Sequence, residues 1–326
     1  MDVARATGYP GRMSQTDRIL PGVAMMIAFC TLAPLIDVFS KLAAQEVPVG
    51  VIVLGRGLVQ AVLMAPVMVV MGFSLRMDRR TLGLTALRAL MLASSTYCFV
   101  AAVRVMPIAD ALAIAFVEPF LILVIGRFAF GEQVGQRRIV ACVVGFLGAL
   151  LVIQPSFAAF GATAFFPLGT ALSFALYMLV TRHLSRRMHP VAMQFHTALL
   201  AALICLPVLG FGTWVGVGPI TFEMPRGVFL LWCVGVGVAA TVSHMAITYA
   251  LSFAPSSTLA PLHYLEIVTA TLFGYLIFDD FPDGLTWAGI GIIVSSGLYI
   301  IHRERRLAKA ARLADLATVS ASEAPL

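Results

Sequence analysis

Apolar stretches close to twenty residues long follow one another along almost the whole chain, separated only by short clusters of arginine, glycine and proline. A helix needs about 20 such residues to cross the hydrocarbon core of a bilayer. The runs are continuous rather than alternating, which excludes the pattern of a membrane β-barrel. Only 12% of the 326 residues are charged and mean hydropathy is +0.96, whereas a soluble domain is about one quarter charged. The sequence therefore predicts an all-α membrane protein.

Glycine, proline and charge clusters divide the chain into ten expected spans. In the first half they are 20–42, 47–71, 82–103, 107–130 and 136–154; in the second, 164–184, 190–212, 227–250, 256–278 and 284–301. An even number places both termini on one side. That side carries Arg5, Arg12, Arg18, Arg76, Arg79, Arg80, Arg137, Arg138, Arg182, Arg186, Arg187, Arg303, Arg305, Arg306, Lys309 and Arg312, and the other only Lys41, Arg104 and Arg226. The positive-inside rule then puts both termini in the cytoplasm. The same distribution accounts for the net charge of +6, since the basic residues punctuate helices instead of paving a face for nucleic acid. The first span is expected to remain a membrane helix rather than a signal peptide, because no small-residue cleavage site follows its apolar run.

Shifted by 148 residues, the chain aligns with itself. Met106–Glu132 falls on Ala254–Asp280, matching Pro107 with Pro255, Phe116 with Tyr264, Glu118 with Glu266, Gly126 with Gly274 and Phe130 with Phe278. Glu132 falls on Asp280 and, one insertion later, Gly148 on Gly297. Five spans per half is an odd number, so the expected fold is two inverted five-helix repeats, over 19–155 and 163–302. A segment 1–18 precedes them and a basic tail, 303–326, follows. Inverted repeats recur in secondary transporters, where solute sites lie near the midplane between the halves.

Charged groups at mid-membrane cost about 2.5–3.5 kcal/mol on insertion scales, so they usually face a cavity or a partner. Glu118 and Glu266 fall about halfway along spans four and nine, and His263 shares a helical face with Glu266. They can bind solute, carry a coupling proton, or simply hydrogen-bond one helix to another. Phe116, Tyr264, Tyr97 and Tyr249 can stack a planar ligand or serve as packing. Asp37 and Arg56 form either a gate or a packing pair. Arg88 and Arg127 are expected to snorkel towards the interface, and His196 and His244 to be satisfied packing histidines. Gly126, Gly145, Gly148, Gly274, Gly289 and Gly291 are read as close-packing positions. The five cysteines sit in apolar stretches with no C-x-x-C pair, so neither a disulfide framework nor a metal site is expected. No P-loop, H-E-x-x-H or G-x-S-x-G occurs, and no catalytic residue or cofactor is expected.

Two segments, FGEQVGQRRIVACVVGFLGALLVIQP (130–155) and PLHYLEIVTATLFGYLIFDDFPDGLTWAGIGIIVSSGLYI (261–300), resemble the EamA branch of the drug/metabolite transporter superfamily. The resemblance covers about residues 20–302 and includes Arg56 and Arg88 at the arginine positions of helices two and three. It implies secondary transport of a small organic metabolite across a bacterial inner membrane, exchanged or driven by protons, with no enzyme activity. Tyr264-Leu265-Glu266 looks like the branches that import S-adenosylmethionine or riboflavin. Glu118-Pro119 departs from the family, where an apolar or small residue often precedes that proline. Acidic Glu118 and Glu266 suit a cation such as S-adenosylmethionine, and the aromatics suit flat, neutral riboflavin. Arginine in place of lysine fits a GC-rich genome and makes riboflavin uptake the expectation. S-adenosylmethionine uptake and amino-acid or metabolite export are the alternatives. An intramembrane enzyme using His263 and Glu266 as an acid–base pair, or a non-transporting sensor, are the competing classes.

Overall fold

A computed structural model describes residues 19–106, 108–132, 134–153, 161–278 and 284–322. Among these the chain is helical, with α1 (Ile19–Ala43), α2 (Val49–Val70), α3 (Arg79–Val105), α4 (Ile108–Ala115), α5 (Glu118–Phe130) and α6 (Gln136–Ile153) in the first half. The second half comprises α7 (Phe165–Leu184), α8 (Pro190–Val215), α9 (Val228–Phe253), α10 (Ser256–Leu259), α11 (Leu265–Phe278) and α12 (Gly284–Ser322). Seven of the described helices are long and apolar enough to cross a membrane. The outer faces of the bundle expose large apolar side chains such as Val70, Phe128 and Trp214, each more than 80% accessible. Surface of that kind is covered by lipid or by another protein.

The expected continuous helices at 107–130 and 256–278 are both broken. In the first, α4 stops at Ala115 and α5 starts at Glu118. Pro119 explains the break, because it has no N–H and its ring collides with the carbonyl four residues earlier. Through the junction the backbone tightens to three-residue bonds, Val117 N to the Ile114 carbonyl and Phe120 N to the Val117 carbonyl. In the second, the single turn α10 passes into a 3₁₀ turn at Ala260–Leu262 containing Pro261, and α11 begins at Leu265. Glu118 and Glu266 are thus not mid-helix residues. Each occupies the first turn of a half-helix, where free backbone N–H groups favour negative charge.

Helix packing follows a two-fold pattern. The contact of α1 with α9 is mirrored by that of α7 with α3, and α5 against α7 by α11 against α1. Likewise α2 against α9 is mirrored by α8 against α3, while α2 with α8 and α6 with α12 join each helix to its own counterpart in the other half. Small residues allow the closest approaches. A Cβ on Gly237 would lie 2.3 Å from Val59, and one on Gly145 would lie 2.5 Å from the Tyr264 ring. Gly291, expected to be a packing glycine, has nothing within 4 Å.

The arginine clusters meet at one end of the bundle. There Phe73 stacks on His189 at 4.7 Å, and Arg182 donates to the carbonyls of Leu251 and Ser252 at 2.8 and 3.2 Å. Glu132 crosses between the halves, accepting from Ser256 Oγ at 2.5 Å and Ser257 N at 2.9 Å. Arg138 donates to Ser257 Oγ at 3.1 Å. Helix α12 continues without a break into the basic tail. Its 39 residues span about 58 Å at 1.5 Å per residue, well beyond a bilayer core of about 30 Å.

Candidate solute-binding site

The two helix breaks meet beside a cavity of about 100 Å³, roomy enough for several waters. Glu118, Glu266, His263, Phe116, Asp37 and Arg56 all line it. The sequence placed these residues on the first, second, fourth and ninth expected spans but did not show that they share one space. Tyr264, Tyr97 and Tyr249 stand elsewhere. Tyr264 is fully buried against Gly145, its hydroxyl bonded to the Phe116 carbonyl at 3.1 Å. Tyr97 lines grooves outside the central cavity, one of them with Gly50, Cys98 and Ile204. Tyr249 lies near the arginine-rich end, against His189 and Phe253.

His263 sits between the two glutamates. Its Nδ1 is 2.9 Å from Glu118 Oε2, and its Nε2 is 2.8 Å from Glu266 Oε2. All three residues are at least 93% buried. The Nδ1 contact lies off the line of a directed hydrogen bond, leaving that nitrogen and Glu118 Oε1 without one. Two nitrogen–carboxylate contacts need two protons between them. Either an imidazolium donates to two carboxylates, or a neutral ring shares the site with one protonated glutamate. Both arrangements carry a net charge of −1, and one further proton neutralises the triad. The group can thus exchange one proton between a singly negative and a neutral state.

Arg56 supplies the cationic part of the cavity lining. Arg56 donates from Nη1 to Thr96 Oγ1 at 2.5 Å, and its Nη2 lies 2.7 Å from His244 Nε2. Guanidinium only donates, so His244 Nε2 accepts and its proton sits on Nδ1, which faces the Tyr177 hydroxyl at 3.0 Å. Tyr177 in turn accepts from Arg88 Nη2 at 2.8 Å. Thr96 and His244 are themselves 148 positions apart, so Arg56 binds a pair of equivalent positions, one from each repeat. His244 is therefore part of the cavity wall and not an isolated packing residue.

Arg88 does not snorkel. It is fully buried, held by the hydroxyls of Thr181, Thr197, Thr248 and Tyr177. Each threonine hydroxyl donates its proton to the carbonyl four residues back. Lone pairs are thereby left facing the guanidinium, which is solvated without a carboxylate. Arg127, by contrast, is exposed.

Phe29, Phe116 and Phe174 form the aromatic part of the wall. Phe174 stacks on His263 at 5.7 Å and on Tyr177 at 5.3 Å, and Phe29 lies 5.5 Å from His263. Phe29, Phe174 and Tyr177 carried no usable signal in the sequence. Each is one apolar-run residue among many, and its partners lie on other helices.

A cavity lined by aromatic rings and a few charged groups at paired helix breaks, between two like halves, defines a membrane solute carrier. The chain matches the EamA-like transporter family over residues 20–154 and 161–302, and it belongs to that family. It is 25% identical to the S-adenosylmethionine uptake transporter of Rickettsia prowazekii (strain Madrid E) over 287 residues, 88% of this chain and 94% of the relative. It is 29% identical to the riboflavin transporter of Rhizobium johnstonii over 219 residues, 67% of this chain and 70% of the relative. It is 25% identical to the pseudopaline exporter CntI of Pseudomonas aeruginosa over 292 residues, 89% and 99% of the two chains. A solved crystal structure superimposes with a TM-score of 0.68 at 19% identity, covering 90% of this chain and 99% of the other, and shares the fold. The protein is a multi-pass membrane transporter of a small metabolite, not an enzyme.

Proposed function

We propose that this chain is an alternating-access secondary transporter of the bacterial inner membrane, carrying a small metabolite that contains a flat ring. The two five-helix repeats, 19–155 and 163–302, move about the shared cavity. Counting the two broken segments and α6 gives ten crossings, with both termini on the cytoplasmic, arginine-rich side. The observation that carries the reading is the His263 triad at the meeting of two half-helices, the place where broken-helix transporters bind solute. Its three-group arrangement supports exchange of one coupling proton.

Two substrates fit this class, each on a specific observation. The aromatic wall of Phe29, Phe116 and Phe174 supports riboflavin, whose ring gains about 0.5–1.5 kcal/mol per aromatic contact beyond area burial. The carboxylates of Asp37, Glu118 and Glu266 support the cation S-adenosylmethionine. The test is uptake of each labelled compound into proteoliposomes, with and without excess unlabelled competitor. Saturable, competed uptake of either supports the reading. No uptake of these or of amino acids above empty liposomes, with folded protein, overturns it.

A further inference from the structure

A second opening, of about 620 Å³, lies at the end of the bundle away from the arginine clusters. Glu46, Arg104 and Glu223 line it, where α2 begins and α3 ends. Glu46 and Glu223 also line an adjoining cavity with Arg226. All four side chains are exposed. Among the described residues none of them makes an ion pair within 4.0 Å or a side-chain hydrogen bond.

Tyr97 joins this mouth to a groove of about 290 Å³ between α3 and α8, lined by Leu90, Cys98, Ile204 and Val208. Leu90, Ser94, Tyr97, Ala101 and Arg104 follow one another at helical spacings of four and three and so form one stripe along α3. From Leu90 to Arg104 the stripe runs about 21 Å at 1.5 Å per residue. That is enough to reach from the membrane surface through one leaflet of a core about 30 Å thick. The groove opens sideways, since Leu90 and Val208 are 43% and 46% exposed. Its wall is held in place by the turn at Gly218–Ile220, which sits on Gly50 and Gly212. A Cβ on those glycines would lie 3.5 and 2.4 Å from Ile220.

An apolar groove open to the side, ending in a mouth with unpaired charges of both signs, matches an amphiphile rather than a water-soluble solute. We propose that it binds one phospholipid of the leaflet on that side, a phosphatidylethanolamine, with its phosphate at Arg104, its ammonium facing Glu46 and Glu223, and an acyl chain along the α3 stripe. Arginine offers a phosphate two parallel N–H donors. The lipid ammonium offers three N–H donors to carboxylates, which the methylated nitrogen of phosphatidylcholine lacks. Phosphatidylglycerol brings no cation and would set its charge beside two carboxylates. Tyr97 stands between mouth and groove, where an amphipathic ring suits the boundary of headgroup and chain. Helix α3 belongs to the first half and α8 to the second, so the lipid touches both repeats.

The test reconstitutes the full-length protein in vesicles of phosphatidylethanolamine, phosphatidylglycerol or phosphatidylcholine. Each carries a trace of ethanolamine phospholipid with a photoactivatable acyl chain, and mass spectrometry maps the labelled residues after illumination. Label on the groove residues of α3 and α8 is expected at least about fivefold above that on open faces around Val70 and Phe128. Vesicles of unlabelled phosphatidylethanolamine should suppress groove labelling at least about fivefold more than the other two. Arg104→Gln removes the phosphate partner, and Val208→Trp fills the groove from an exposed position. Each should lower groove labelling at least about fivefold, with label on the other faces and the thermal melt unchanged. Even labelling of all exposed faces, or equal suppression by the three lipids, would mean bulk lipid contact only and overturn the proposal. Unchanged groove labelling in either variant would overturn it as well.

Discussion

Tyr264 donates its hydroxyl to the carbonyl oxygen of Phe116 at 3.1 Å, and the two residues are 148 positions apart, the offset that lays one repeat on the other. A residue touches its own symmetry counterpart only near the axis that relates them. This bond therefore marks the pseudo-two-fold axis, and Glu118 and Glu266 follow it by two residues in each repeat. The Phe116 carbonyl is freed for this role because the α4–α5 break removes its ordinary helical partner.

Weakening that junction should loosen the axis. Tyr264→Phe leaves a buried carbonyl unpaired, at a cost of about 1–3 kcal/mol. Gly145→Ala drives a methyl group into the Tyr264 ring and costs about 1–3 kcal/mol by overpacking. Gly291→Ala, in open space, should be neutral or slightly stabilising. Thermal melts of the three variants in detergent check the order.

Arg88 is expected to resist even conservative change. Lysine carries one ammonium in place of a planar five-donor group, and it cannot reach the hydroxyls of Thr181, Thr197, Thr248 and Tyr177 together. Arg88→Lys should lose about 2–4 kcal/mol, at about 1–3 kcal/mol for each buried hydroxyl left unmet. A melt unchanged from wild type would show that the cluster carries no stability.

Much of this architecture was legible in the sequence. Apolar run length gave the membrane class, and the aligned glutamates gave the repeat. His263 was visible through its three-residue spacing from Glu266. Pro119 stood in plain view, yet spans four and nine read as continuous helices because apolar content does not reveal a lost backbone bond. The first-turn position of both glutamates was missed for that reason. His244 and Arg88 were misread for another. Their meaning lies in partners 67 to 188 residues away for His244 and 89 to 160 away for Arg88, and no local spacing encodes those contacts.

Glu132 fastens the arginine-rich end by capping Ser256 and Ser257 across the two halves. Its carboxylate packs beside Gly126, about 12 Å along α5 from Glu118 at 1.5 Å per residue, and does not line the cavity. Loss of a cap of this kind costs about 0.5–2 kcal/mol, a roughly 2- to 30-fold shift between conformations. Glu132→Ala should therefore increase access of a membrane-impermeant thiol reagent to a cysteine introduced at Ser257, while Glu132→Gln, which keeps an acceptor oxygen, shows a smaller increase. Equal labelling of all three proteins would show that the Glu132 cap does not hold the two halves together.

Asp78 caps α3, accepting from the Arg80 and Thr81 amides at 3.1 Å. The Thr81 hydroxyl and these amides hold its carboxyl below the usual carboxylate range. A depressed value means the cap contributes above the unfolded-state pKa, about 3.9, and is lost as pH falls through the lower folded-state value. Asp78→Ala should melt below wild type at neutral pH, and the gap should close as pH falls below about 4. A gap independent of pH would assign the effect to packing instead.

The most direct test of the central claim is proton-linked transport by the His263 triad. Uptake should be measured in parallel, at inside-alkaline and symmetrical pH, for folded wild type, Glu118→Gln and Glu266→Gln. The structure predicts gradient-stimulated uptake in wild type, and in each variant at least a tenfold loss of rate with no response to the gradient. Wild-type rates and an unaltered gradient response in both variants would contradict it.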